Sequence, residues 1–350
     1  MMIVFPLLHL RGIPLVFVLA ITEVAAQGTC NLLSSRQATS AQASGGRVTY
    51  VSHPVFECTE GTRIEADSSV TFESTSFSQL FGHILFRDGR RELRAARAQY
   101  FSRVGRLQAQ GSVRLMGMDD GSVITGEDLI LLQEVDGRTE DDMTIRGGRP
   151  HARLYSRRES AGMLGVEVIS DEPIHSDIPL DIDADLIHLV SDHLLEARGR
   201  VEITRDALLA YGDSVAFQQD VGTLTLYRNA RVILPDEETG DTLDLRADTI
   251  TMILPNDVID ELNAVGKARL LADQVDIRGP TVRLLFTGDV LERIVAVTVA
   301  LPDSPELNVY SAGGESPSED SIQRQPEVVA DDFILTGDSI EVRLPDGKVE

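Results

Sequence analysis

Beyond its N-terminal segment the chain reads as short runs in which apolar and polar residues alternate. "LTLYRNARVIL" and "RIVAVTVAL" are two of them, and turn signals such as "MDDGS", "DEETGD", "LPND" and "PDGK" separate the runs. A period of two marks strands with one buried face, and few stretches carry the 3.6-residue period of an amphipathic helix. The pattern predicts an all-β fold.

Superposing the runs exposes a common unit: apolar, any residue, Ala or Gly, usually an acid, any residue, apolar, any residue, apolar. It occurs as "ITGEDLIL" at Ile124, "IDADLIHL" at Ile182, "AYGDSVAF" at Ala210, "LRADTITM" at Leu245, "LLADQVDI" at Leu270 and "LTGDSIEV" at Leu335, with looser copies at Ile64 and Leu93. Most gaps between copies are one or two units of about 30 residues, a spacing that must be read before any single motif. A second element, apolar-x-Ala-x-Gly-x-Val or Ala, follows several copies: "LQAQGSV" from Leu107, "LEARGRV" from Leu195 and "LNAVGKA" from Leu262. Each unit is thus two strands joined by a turn.

In the first element the apolar phase slips by one residue after the Ala or Gly, as in Ile182 and Ala184 followed by Ile187 and Leu189. Such a slip throws side chains to the wrong face unless a bulge or bend absorbs it. The small residue is expected at the bend and the acid beside it toward solvent. Asp181, Asp183 and Asp185 then form the outward face of a strand rather than a calcium loop, whose sixth and twelfth positions need Gly and Glu where this chain has Leu186 and Asp192. After the slip, Leu129 and Leu131, Ile187 and Leu189, Val215 and Phe217, Ile250 and Met252, and Val275 and Ile277 are expected to stack on one interior wall.

The first 26 residues, with Arg11 ahead of an apolar run from Ile13 to Ile21 and then Val24, Ala25 and Ala26, read as a secretory signal peptide cut before Gln27. The run is too short to span a membrane, and no later segment is apolar for about 18 residues. A lipid anchor on Cys30 is the alternative, but Thr29 stands where a small residue should directly precede the cysteine. Cys30 and Cys58 are the only cysteines of an exported chain. They are expected to pair, the other possibility being two free thiols. The rest divides into an N-terminal segment (27–59), a first repeat array (60–157), a connection (158–177), a second array (178–302), a loop or linker (303–329) and an incomplete further repeat (330–350). "DSIEVRLPDGKVE" stops where a returning Ala-x-Gly strand would begin, so the expectation is either an edge strand awaiting a partner or a fragment. A net charge of -24 argues against nucleic acid as a partner.

The units "ADTITMILPNDVIDELNAVGKARL" and "ARAQYFSRVGRLQAQGSVRL" resemble the repeat of the OstA-like family, the LptA and LptC type periplasmic proteins of lipopolysaccharide transport. The resemblance runs from about Ile64 to the C-terminus. It implies an open, twisted β-jellyroll of stacked hairpins, here at least two arrays in tandem, with an apolar trough that shields acyl chains. It also implies a periplasmic location and transport toward the outer membrane. The partners it implies are lipopolysaccharide or a similar amphiphile, an inner-membrane transport complex, an outer-membrane translocon and head-to-tail copies of the chain itself.

No catalytic or cofactor site is expected. The chain has no G-x-S-x-G nucleophile motif, and "IRGGRP" lacks the strand, loop and helix context of a phosphate site. His188 and His193, five apart, fall on opposite faces of a strand, and His53, His83, His151 and His175 have no partner spacing. Two other classes stay open. One is a structural envelope protein. The other is a polysaccharide-cleaving β-solenoid, which its carboxylates permit but its lack of Trp disfavours.

Overall fold

The structure is a computed structural model that describes residues 30–58, 61–135, 137–155, 178–191, 193–235, 242–255, 258–272, 275–288, 290–298, 325–330 and 333–344. The expected signal peptide, the 158–177 connection and nearly all of the 303–329 loop lie outside these residues. The described residues form 24 strands and, apart from two short 3-10 turns, no helix. In chain order they are β1 (Cys30–Ser34), β2 (Gln37–Ala43), β3 (Gly46–Ser52), β4 (Val55–Cys58), β5 (Arg63–Glu65) and β6 (Ser68–Phe72), then the long β7 (Phe77–Arg87), β8 (Arg91–Phe101), β9 (Arg106–Gly117) and β10 (Val123–Leu132). Four short strands follow: β11 (Asp142–Arg146), β12 (His151–Leu154), β13 (Leu180–Asp183) and β14 (Leu186–Val190). A second long series is β15 (Leu194–Arg205), β16 (Leu208–Gln218), β17 (Thr223–Pro235), β18 (Thr242–Ile253), β19 (Glu261–Ala272) and β20 (Val275–Thr287). The last four are β21 (Val290–Val297), β22 (Glu327–Ala330), β23 (Phe333–Thr336) and β24 (Ser339–Arg343).

Among the described residues the strands named here pair antiparallel, as stacked hairpins require. Each long strand is interrupted near its middle by a register shift, for example between Arg246 and Thr249 opposite Val265 and Arg269. The shifts line up from strand to strand, so the sheet is creased into two arms. In the first arm β12 pairs with β13, and in the second β11 pairs with β14, so hydrogen bonding passes without a break from the first long series to the second. At the N-terminal end β1, β4 and β5 continue the first arm and β2, β3 and β6 the second. At the other end β22 and β23 extend the first arm, and β21 and β24 the second.

The crease explains the repeat. In β15, Gly199 (φ 80°) and Arg200 (φ 48°) are both left-handed, and in β19 so are Gly266 (φ 83°) and Lys267 (φ 51°). This conformation suits Gly and costs any other residue. Two consecutive left-handed residues place one more residue in this strand than in its neighbour, and the neighbour answers with the one-residue slip read from the sequence. The acid of the Ala-Asp element faces that pair. Asp185 donates its backbone N–H to Arg198 O (3.1 Å) and Gly199 O (3.0 Å), and its carboxylate accepts from Arg200 Nη2 at 2.5 Å. Asp67 donates likewise to Phe81 O and Gly82 O. The acid does lie on the outer side, as expected, but it is a working part of the bend.

One copy of the unit was misplaced by the sequence pattern. Ala272 of "LLADQVDI" ends β19 and Val275 begins β20, so this copy is divided between two strands instead of creasing one. The crease of β20 lies at Gly279 and Pro280, between the pairs Val265–Thr281 and Ala268–Gly279. Proline has no N–H to donate, and an unpaired bulge position is where a strand tolerates it.

Candidate functional site

On the second arm two apolar rows run across the strands in register. The first is Leu129, Ile145, Ile187, Ala197, Val215, Leu226, Ile250, Ala264, Val282 and Ala296, each paired with the next. The second is Leu131, Met143, Leu189, Leu195, Phe217, Leu224, Met252, Leu262, Leu284 and Ile294. Eight of the ten wall positions expected from the sequence therefore fall in these rows. Val275 and Ile277 do not: they lie before the crease of β20, on the first arm, and Val282 and Leu284 hold the places assigned to them. Ile277 instead joins a row of that arm with Leu270 and Val328.

The inward side chains of the two arms form one cluster from Phe56 to Leu344. A single sheet cannot bury its own face, so exposures near zero at Leu131, Ile187, Ile250 and Leu284 mean that the arms lie face to face. Both rows are free of charge. Each fully buried Leu or Ile contributes about 1.5–3 kcal/mol relative to exposure. At one point an ionic contact joins the free margins of the arms. Asp141, just before β11 on the second arm, accepts from Arg91 and from Arg90 Nη2 (2.5 Å) at the start of β8 on the first, and Glu134 N–H donates to it at 2.6 Å. Arg91 also meets Asp88 at 3.1 Å, and the side chains of Arg91, Asp88 and Asp141 are nearly fully buried.

At the N-terminal end the arms part. A cavity of about 420 Å³ lies between Cys30, Phe56 and Ile64 of the first arm and Thr71, Ser78, Leu80 and Tyr100 of the second, with Glu73, Ser76, Ser102 and Arg103 at its rim. Its volume is in the range of small-molecule sites, roughly 300–1,000 Å³. Cys30 and Cys58, in direct register across β1 and β4, form a disulfide that fixes β1 at this end. The sequence pattern gave no hint of the mouth, because its lining comes from strands as far apart in the chain as those of Cys30 and Tyr100, which obey the same alternation as all the others.

Outside, the acids are engaged with arginines. Asp181 receives Arg153 Nε at 2.8 Å, and His151 reaches Asp181 (3.4 Å) and Asp183 (3.3 Å). His188 lies 3.2 Å from Asp142 and 3.6 Å from Glu196. Asp244 accepts from Arg246 on its own strand and Arg231 on the next. Burial alone would raise its pKa, but the two guanidiniums outweigh burial and hold it at about 2. Asp276, between Arg269 and Arg278, is lowered in the same balance. Glu92 is lowered by its hydrogen bonds from Arg94 and Arg87. Among the described residues no cluster of three His, Cys, Asp or Glu side chains is placed to hold a metal ion.

No known family profile matches the chain, and no curated protein matches it. Nine solved chains do. One is the crystal structure of LptH, the LptA-homologous periplasmic component of the lipopolysaccharide transport device of Pseudomonas aeruginosa. It has a TM-score of 0.31 and 12% identity, over 39% of this chain and 82% of that one. A likeness of that size leaves the function to be argued from this chain's own geometry.

Proposed function

We propose that this protein is a non-catalytic carrier or bridge for an amphiphilic lipid, held by its acyl chains between the two arms and passed along the sheet. The observation that carries the reading is the pair of uninterrupted apolar rows from β10 to β21. A core that only had to be stable would tolerate a polar residue where a neighbour could satisfy it. A slide for acyl chains cannot, since each methylene gains about 0.8 kcal/mol on leaving water and a buried polar group would interrupt that gain. The mouth between Cys30 and Arg103 sets Phe56, Ile64 and Leu80 beside hydroxyls and the charged Glu73 and Arg103, a mixed lining that suits an amphiphile's two halves. With the resemblance of the repeat, this favours lipopolysaccharide or a similar lipid in a Gram-negative periplasm, received from an inner-membrane complex and delivered to an outer-membrane translocon, with copies of the chain joining end to end.

The second reading, a structural envelope protein whose rows are simply its core, is favoured by the near-zero exposure of those rows: lipid must part the arms to reach them. Native mass spectrometry of protein purified from its own envelope separates the two. A carrier shows mass increments matching an acylated amphiphile that organic extraction removes. A folded protein of bare polypeptide mass supports the structural reading.

A further inference from the structure

We propose that the outer face of the second arm, at the N-terminal end of the sheet, docks on an anionic membrane leaflet. The outer face of the first arm carries acids paired with arginines and that of the second arm carries Thr225 against Thr251 farther along, whereas here the cross-strand pairs are aromatic. Phe72 opposes Phe77, and Phe77 opposes Phe101, with ring centroids 5.5 and 4.7 Å apart. These rings point away from the interior, since their neighbours Thr71, Ser78 and Tyr100 line the cavity on the other side. On the same outward face Phe81 is 40% exposed, and Val104 at the adjoining turn is 49% exposed. Phe72, Phe77 and Phe101 are half-buried, and with the exposed Phe81 and Val104 they make an apolar outer surface of the kind that marks a contact.

Charge selects the occupant. Arg106 places its guanidinium carbon 5.9 Å over the Phe101 ring. Arg97 and Arg103 stand exposed beside the patch. Residues 27–155 hold 15 arginines against 16 acids, whereas residues 156–350 hold 16 lysines and arginines against 39 acids. An anionic surface repels the second half strongly and the first hardly at all, so charge favours approach by this end. Aromatic rings with arginines around them suit the headgroup level of a bilayer, where ring and stem are buried and the charge stays with phosphate. Arg103 borders both the patch and the mouth, so docking sets the mouth at the leaflet. The inference takes its purpose from the lipid-carrier reading and fixes which end of the carrier faces a donor or acceptor membrane.

Flotation of the exported chain with vesicles tests it. Vesicles of phosphatidylglycerol and phosphatidylethanolamine should carry the protein, vesicles of phosphatidylcholine alone should carry at least tenfold less, and 0.5 M salt should release most of it. Phe77→Ser with Phe101→Ser should abolish flotation. Because that pair could disturb the fold, Arg97→Glu with Arg103→Glu, both exposed, should reduce it about tenfold with the unfolding midpoint unchanged. Equal flotation with both vesicle types, flotation untouched by the charge reversal, or none with either vesicle overturns the proposal, the last leaving the face to a protein partner. Flotation without any bound lipid in the interior would keep the docking and reject the carrier.

Discussion

Asp185 and Gly199 interlock across the crease: a Cβ added to Gly199 would lie 2.5 Å from Asp185 Oδ2 and 2.8 Å from its Cβ. Gly266 stands against Asp248 in the same way, at 2.6 Å from Oδ2. The Ala-Asp and Ala-x-Gly elements are thus two halves of one joint on neighbouring strands.

Gly199→Ala should therefore lower stability by about 2–4 kcal/mol, from the left-handed backbone and the clash together. Asp185→Gly in the same chain, which removes both the carboxylate and the Cβ, should recover the steric part and leave the backbone part of the Gly199→Ala cost. Urea unfolding midpoints of the wild type, the two single variants and the double variant check this. A Gly199→Ala midpoint equal to wild type would mean that the joint is not rigid.

Much of this was legible because the bend imposes a local rule. The one-residue slip at Ala184 and Ala247 follows from alternation alone, and the same slip puts Leu129, Ile187, Val215 and Ile250 in one row. The rule failed at β20, where the motif copy at Ala272 falls between two strands while Gly279 and Pro280 carry the bend without an acid. Contacts made across the fold left no trace in the pattern. Asp141 and Arg91 are 50 residues apart, and nothing near either announces the other.

That contact carries its own prediction. Asp141→Ala leaves Arg91 buried beside Asp88 alone and strips Glu134 N–H of its acceptor, at a cost of about 3–5 kcal/mol. Arg90→Ala, which removes a half-exposed partner, should cost about 0–1 kcal/mol. Cysteine pairs across the margins, one near Arg90 and one near Asp141, should crosslink less readily in Asp141→Ala if the contact holds the arms together. Equal midpoints for the two alanine variants would assign it no such role.

Acid should loosen the outer face. Asp244 has a folded pKa of about 2 against an ordinary 3.8. The folded form thus binds this proton less readily than the unfolded chain, and the stabilisation is complete above pH of about 4 and lost as pH falls toward 2. The shift corresponds to about 2 kcal/mol at most, less after screening because Arg246 is half exposed. Asp276 and Glu92 act in the same direction. Asp244→Asn should flatten the fall in stability between pH 4 and pH 2. A variant with the same acid limb as wild type would show that the arginine pairs are not what acid breaks.

The central claim is that the two apolar rows receive acyl chains, and site-specific photo-crosslinking in the living envelope tests it most directly. A photoreactive residue at Ile187, Phe217 or Met252 should capture lipid, and one at the outward Asp183 or Thr249 should not. Equal capture at both sets, or none at the interior set in protein that remains folded, would contradict the account and leave the rows as a closed core.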